Sequence, residues 1–277
     1  MSAAVAAPVK GEVVLRGVGL RKRYGTITAV DDVDIEIRAG EITAVVGDNG
    51  AGKSTLVKML CGAIRPDAGD IYIGGEKVAL RTPLQARERG VETVFQDLAL
   101  APNRDVVANL FLGRESVRAG IWKPLGVLDR RAMRKRAREQ LAELRVNVPR
   151  LTGVPIAHLS GGQRQAVAVA RAAFWAQRAM LMDEPTAALG VREAAQVLTL
   201  ARAIADRGLA VVVISHVLPH VMELADRVIV MRHGRKVAEI TEDISSERLV
   251  RLIVGVDAED IVEAAHRMNT GEGQGGV

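Results

Sequence analysis

The chain holds one cysteine, Cys61, in 277 residues. An intramolecular disulfide is therefore excluded, and the composition suits a reducing cytosol. Aromatics are equally scarce, with two Trp and two Tyr. That is too few for nucleic-acid binding by bases stacked on interleaved aromatic rings. No long apolar run exists: the longest, around Ala166 to Met182, is broken by Arg171 and Arg178. It lacks the length and purity of a membrane span. The start, Met1 to Pro8, is alanine-rich but has neither the basic nor the apolar region of a signal peptide, and reads as a loose tail. No internal repeat is visible. What the chain does have is 48% apolar residues, enough to build one large domain with a smaller subdomain, or two modest ones. A net charge of +5 permits contact with nucleic acid or an anionic membrane surface, and by itself establishes neither.

Periodicity gives the organisation. Val13 to Arg38 reads as short strands, with Val33, Ile35 and Ile37 alternating against Asp34, Glu36 and Arg38. Glu41 to Val46 is a continuous apolar strand, and Lys53 to Ala63 has helical spacing at Leu56, Met59 and Leu60. Arg65 to Gly69 is a turn by composition. Hairpins are expected across Gly74-Gly75 and across His233-Gly234. Between Gln96 and Pro155 the strand-helix alternation stops, and prolines, Phe111, Trp122 and a basic helix from about Asp129 point to a mostly helical subdomain. It resumes with Ala179–Met182, a helix from about Val191 to Arg207, and Leu209–Ile214. Strand, long helix, strand implies a parallel sheet covered by helices. From about Asn269 the Gly-rich end reads as disordered.

Three motifs carry chemistry. Gly47-Asp48-Asn49-Gly50-Ala51-Gly52-Lys53-Ser54-Thr55 matches G-x-x-x-x-G-K-S, with a strand before it and a helix after it. Glycines let backbone N–H groups converge on phosphate oxygens, and the helix start adds its positive dipole end. Lys53 would reach the β- and γ-phosphates and Ser54 would ligate Mg²⁺. Next, Asp183 and Glu184 leave the C-terminal end of a buried strand, where ligand sites of open α/β sheets lie. Asp183 fits a metal-side acid, and Glu184 could polarise an attacking water. Taken alone, this pair is also an ordinary polar exit into a turn. Last, Leu159-Ser160-Gly161-Gly162-Gln163 opens a helix from about Arg164 to Gln177, with Ser160 as N-cap and glycines exposing donors. Taken alone, that is simple capping.

In this order, and followed by Asp183-Glu184-Pro185-Thr186 and Ile214-Ser215-His216, these motifs resemble the ATP-binding-cassette (ABC) ATPases over about Val13 to Gly255. The resemblance implies an α/β fold: a P-loop NTPase parallel-sheet core with an antiparallel β subdomain and an inserted helical subdomain. It divides the chain into a tail at 1–12, a core at 13–95 and 156–255, the helical subdomain at 96–155 and an extension at 256–277. It implies that Tyr24 stacks on adenine and that Gln96 senses Mg²⁺ and the γ-phosphate. Ser160, Gly161 and Gly162 would close on the γ-phosphate of ATP held by a second cassette. Glu184 would be the catalytic base and His216 the γ-phosphate switch. One position departs: the family usually has Ser-Ala-Leu-Asp after the threonine, whereas Ala187-Ala188-Leu189-Gly190 stands here. The acid that normally couples the two sites across the dimer is missing at Gly190.

The wording around Gln96–Pro102, Ala108–Glu115 and Pro185–Gly190 is similar to the monosaccharide-importer branch. That similarity implies an energy-coupling ATPase on the inner face of the cell membrane, using ATP and Mg²⁺. Its partners would be a second cassette, a membrane permease and, indirectly, a sugar-binding protein, with no nucleic acid. Leu98 to Leu112, with Asn109, Leu110, Phe111 and Leu112, is the expected docking surface for the permease, internal packing being the alternative. A soluble ABC ATPase acting on ribosomes or DNA usually has two cassettes or a long coiled coil, and neither is visible; a weakly hydrolysing regulatory cassette is the other alternative. The run Arg130 to Arg138 could contact nucleic acid or lipid headgroups. The stripe Leu128, Met133, Ala137, Leu141 and Leu144 favours a helix with a solvated basic face. His216 and His220 are spaced like zinc ligands, but no third ligand is evident and Pro219 lies between them.

Overall fold

The computed structural model describes residues 8–255 apart from 119, 121–124, 149 and 188. The readings for residues 1–7, for 256–277 and for Trp122 and Ala188 lie outside those residues; the rest of the expected N-terminal tail is tied to the core, with Gly11 N donating to Ala39 O and Ala39 N donating to Glu12 O, each at 2.8 Å. Two sheets form the frame. The first is antiparallel, in the order β2-β1-β4-β5. It uses β1 (Val13–Tyr24), β2 (Ile27–Arg38), β4 (Ala68–Ile73) and β5 (Glu76–Val78). The segment expected as short strands is thus one long hairpin of two 12-residue strands. Alternation holds over Val33, Ile35 and Ile37, and a register shift between Val30 and Val33, with Asp32 at φ 56°, returns Val30 to the core.

The second sheet has the order β10-β9-β3-β8-β7-β6. Its strands are β3 (Ile42–Gly47), β6 (Val91–Val94), β7 (Ala179–Asp183), β8 (Ala210–Ile214), β9 (Arg227–Arg232) and β10 (Arg235–Ile240). All pairs are parallel except the β9–β10 hairpin. Because both faces are covered, β3, β7 and β8 are buried at every position, which is why they read as unbroken apolar runs. Side chains still alternate between two cores. Met180, Met182, Val211 and Val213 join one cluster with the helices. Leu181, Val212 and Ile214 join a second, with the antiparallel sheet and α1 (Lys53–Leu60). This is the expected α/β arrangement with an antiparallel β layer.

The helical cluster gathers α3 (Val106–Leu110), α4 (Arg130–Glu143), α5 (Gly161–Trp175) and α6 (Val191–Asp206). On α4, Asp129 accepts from Ala132 N as N-cap, and Met133, Ala137 and Leu141 point inward. Its arginines and lysine are exposed, and Arg136 lies over the rings of Phe111, Phe174 and Trp175. Those three rings pack edge to face, with Phe111 5.1 Å from Phe174. This corrects the expected docking surface. Asn109, Leu110 and Phe111 are buried, and only Leu112 of the four is exposed. Asn109 is there to satisfy backbone: its side chain accepts from Ala101 N and donates to the carbonyls of Ala101, Arg104 and Asp105.

Three helices lay outside the sequence reading or were only touched by it: α2 (Pro83–Glu88), α7 (Leu218–Leu224) and α8 (Ser246–Val254). α7 and α8 pack on β9 and β10 in a third cluster around Leu249 and Val221. No described helix is long and apolar enough to cross a membrane.

Candidate functional site

The site forms where β3, β7 and β8 end. β3 runs without a break into the glycine loop, and α1 starts at Lys53 with Gly52 as N-cap. Two of these glycines are compelled by neighbouring backbone. Gly47 has φ 148°, and a methyl there would overlap the carbonyl oxygen of Met231 on β9. Gly52 has φ 97°, and a methyl there would overlap that of Ala29 on β2. Both positions combine a left-handed backbone with no room for Cβ. The loop is therefore clamped between the two sheets.

Lys53 is 6% exposed. Its Nζ donates to the carbonyls of Gly47 and Asp48, each at 2.8 Å. The loop so folds around its own lysine, and the ammonium sits at its centre. Burial pulls the Lys53 pKa below the ordinary lysine value, while Glu184, Asp48 and Asp183 pull it back.

Ser54, one residue on, points its hydroxyl the other way and donates to Asp183 Oδ1 at 3.1 Å. Asp183 ends β7 and is buried. Burial raises its carboxyl above the ordinary value, and the Ser54 hydroxyl and Lys58 act against that. A buried carboxylate facing a hydroxyl offers hard oxygen donors of the kind that Mg²⁺ takes.

Glu184 follows in a backbone conformation unusual for a residue with a side chain, at φ 50°. Such a residue costs roughly 1–3 kcal/mol unless its surroundings fix it. Here its N–H donates to Ile214 O at 3.1 Å, and its carbonyl accepts from Ala187 N at 3.1 Å. The turn aims the carboxylate across the strand ends, where Oε1 lies 3.3 Å from His216 Nδ1. His216 stands beyond β8. Ser215 before it is buried and accepts from Val217 N at 3.1 Å, which shapes this corner. Asp48, Asn49, Glu184 and His216 all open onto one cleft of about 440 Å³. Its far wall is apolar and comes from Val250, Ile253 and Val254 of α8. Those three residues were absent from the sequence reading. Their signal was available in the helical spacing of Leu249, Leu252 and Ile253 after Ser245.

The other expected residues are not brought onto this cleft. Tyr24 ends β1, is 47% exposed and has Lys22 Nζ 5.7 Å from its ring centroid. Gln96 is exposed beyond β6 and lines a separate hollow of about 400 Å³ with Leu98, Pro102, Ile156 and Arg164. The segment after it is tied to α5, since Arg171 donates to the carbonyls of Leu98 and Ala99 at 2.9 and 2.8 Å. Ser160 caps α5 in a complete capping box: it accepts from Gln163 N at 3.2 Å, and its own N–H donates to Gln163 Oε1 at 2.9 Å. Ser160 and Gly161 are exposed, Gly162 is buried and Gln163 is partly so. Gly50, Ala51 and Thr55 complete the glycine loop: Gly50 is exposed, Ala51 buried, and Thr55 lies in the first turn of α1. Among the described residues no hydrogen bond or ion pair joins the turn at 160–163 to the glycine loop. His220 is not paired with His216; its Nδ1 lies 3.4 Å from Thr186 Oγ1.

One chain therefore presents a charged glycine-loop cleft and, apart from it, a second exposed set of helix-start donors. Comparison with known proteins gives that arrangement a family. Residues 30–187 match the family described as ABC transporter. The Fructose import ATP-binding protein FrcA of Rhizobium meliloti is 47% identical over 246 residues, covering 88% of this chain and 95% of that one. The Ribose import ATP-binding protein RbsA 1 of Rubrobacter xylanophilus is 42% identical over 243 residues, but this chain spans only 47% of its length. A nucleotide-free ATP-binding cassette from an ABC transporter superposes with a TM-score of 0.75 at 24% identity, over 90% of this chain and 98% of that one. A dimeric post-hydrolysis cassette bound to ADP and Pi superposes with a TM-score of 0.67 at 25% identity, over 83% and 99%. Fold, motif order and sequence agree, and the chain belongs to the ABC transporter family.

Proposed function

We propose that this chain is the ATP-hydrolysing subunit of an importer for a sugar, and that it works as a dimer clasping ATP between two copies. The observation that carries the reading is the division of the site: the glycine-loop cleft and the donors of Ser160 and Gly161 face solvent separately within one copy. A second copy would bring its own 160–163 turn to the first copy's cleft. The likeness to the fructose importer subunit over nearly its full length supports the sugar, and the likeness to a dimeric cassette supports the pairing.

In this reading the backbone of Gly47 to Thr55 cradles the phosphates. Lys53 releases the carbonyls of Gly47 and Asp48 and turns to the β- and γ-phosphates. Tyr24 stacks on the base. Ser54 and Asp183 would hold Mg²⁺, with Gln96 reaching it from the hollow beyond β6 as the copies close. That ion, when bound, neutralises charge on the phosphates and orients them. Glu184 accepts the proton of the attacking water. His216 holds the γ-phosphate and steadies Glu184 through the contact already present. Product charge then loosens the clasp, and the copies part. ATP so favours the closed pair, a population shift that a membrane partner can read through Gln96 and α5. The chain would sit on the cytoplasmic face of the membrane, docked on a permease through the exposed rim near Gln96 and Leu112.

The test is ATP turnover by the chain reconstituted with its membrane subunit and a sugar-binding protein. A monosaccharide should raise the rate severalfold over the sugar-free complex. A rate indifferent to every monosaccharide, but raised by another solute class, would contradict the assignment to a sugar.

A further inference from the structure

We infer that Glu193 is a positioning residue for the turn at Ser160–Gln163, and that it joins this turn to the start of α6 where Gly190 offers no acid. The inference rests on the dimer reading above.

The observation is a single side chain laid against two glycines from different elements. Gly162 is the second residue of α5 and is buried. Its backbone is unstrained, so conformation does not explain a glycine there. Space does: a methyl group on Gly162 would lie on Glu193 Cγ and 2.7 Å from Glu193 Cβ. These atoms are at the root of the side chain and cannot swing away cheaply. At the other end, a methyl on Gly190 would lie 2.7 Å from Glu193 Oε2. The side chain therefore runs from the flank of Gly162 to the front of Gly190, with its stem under the turn and its carboxylate at the N-terminus of α6.

Sequence position makes that geometry natural. Gly190 is the N-cap of α6 and has no side chain with which to cap it. Glu193 is the acid in the helix's first turn, where a negative charge is favoured by the helix dipole. The carboxylate thus lies at the first turn of α6 while its stem fills the space left by Gly162. Ser160 and Gly161, the exposed donors, ride on a turn whose buried side is this stem.

Removing the stem should therefore misalign the donors without touching the cleft that first binds ATP. A displacement on the order of 1 Å at such a group can cost up to a hundredfold in rate. The experiment compares Glu193→Ala and Glu193→Gln with the parent chain. It reads steady-state ATP turnover, affinity of the isolated chain for a fluorescent ATP analogue, and thermal unfolding. Glu193→Ala should lower kcat about tenfold or more, with analogue affinity within about twofold of the parent. Glu193→Gln, which keeps the stem, should restore most of the rate. The inference is overturned if Glu193→Ala turns over ATP like the parent. It is equally overturned if Glu193→Gln is as impaired as Glu193→Ala, or if Glu193→Ala loses analogue affinity in step with its rate. Should Glu184→Gln form no ATP-bound dimer, the underlying reading fails; should that dimer form and Glu193→Ala keep full kcat, only this inference does.

Discussion

Glu184→Gln is expected to elute as an ATP-bound dimer on gel filtration and to turn over ATP about a hundredfold or more slowly than the parent chain. The rate falls because glutamine cannot take a proton from water at neutral pH. The dimer accumulates for the same reason, since the event that parts the copies no longer happens. Structure favours a clean result. Glu184 is held in its unusual backbone conformation by bonds to Ile214 O and Ala187 N, and neither uses its side chain. A glutamine can also keep a hydrogen bond to His216, now 3.3 Å from the carboxylate. The change is therefore close to isosteric and confined to proton transfer. Monomer alone in the presence of ATP would contradict the shared site.

Lys53→Ala should act earlier, on binding itself. A charged hydrogen bond contributes roughly 1.5–3 kcal/mol, so affinity for ATP should drop about tenfold to a hundredfold. The phosphates lose the cation that the free loop keeps at its centre, 2.8 Å from the carbonyls of Gly47 and Asp48. Because Lys53 is buried among acids, its removal also leaves Asp48, Asp183 and Glu184 facing the phosphates unopposed. Unchanged nucleotide affinity, measured by titration of the isolated chain, would mean that the glycine loop is not where ATP binds.

How legible all this was depended on how local each feature is. The glycine loop, the exit of β7 and the capped start of α5 are each written within about a dozen neighbouring residues. Their strands announced themselves by being apolar on both faces. The hairpins and the parallel core followed from turn residues and alternation. What stayed hidden is set by contacts between distant segments. Asn109 and Phe111 looked like a surface because a short apolar stretch reads the same whether it faces in or out; the ring stack with Phe174 and Trp175 decides it. The α8 wall of the cleft depends on where β9 and β10 carry the chain after Ile240. The lack of room for a side chain at Gly162 is due to Glu193, on another helix. Tyr24 and Gln96 are the opposite case. The resemblance groups them with the cleft, yet within one open copy they stand apart from it, and the proposed closure is what would gather them.

That closure is the central claim, and the dependence of turnover on protein concentration reaches it most directly. Over a range where sedimentation shows single copies without ATP, the rate per chain should climb as concentration rises and then level off. A rate per chain that stays flat across that whole range would show that one copy completes the site alone.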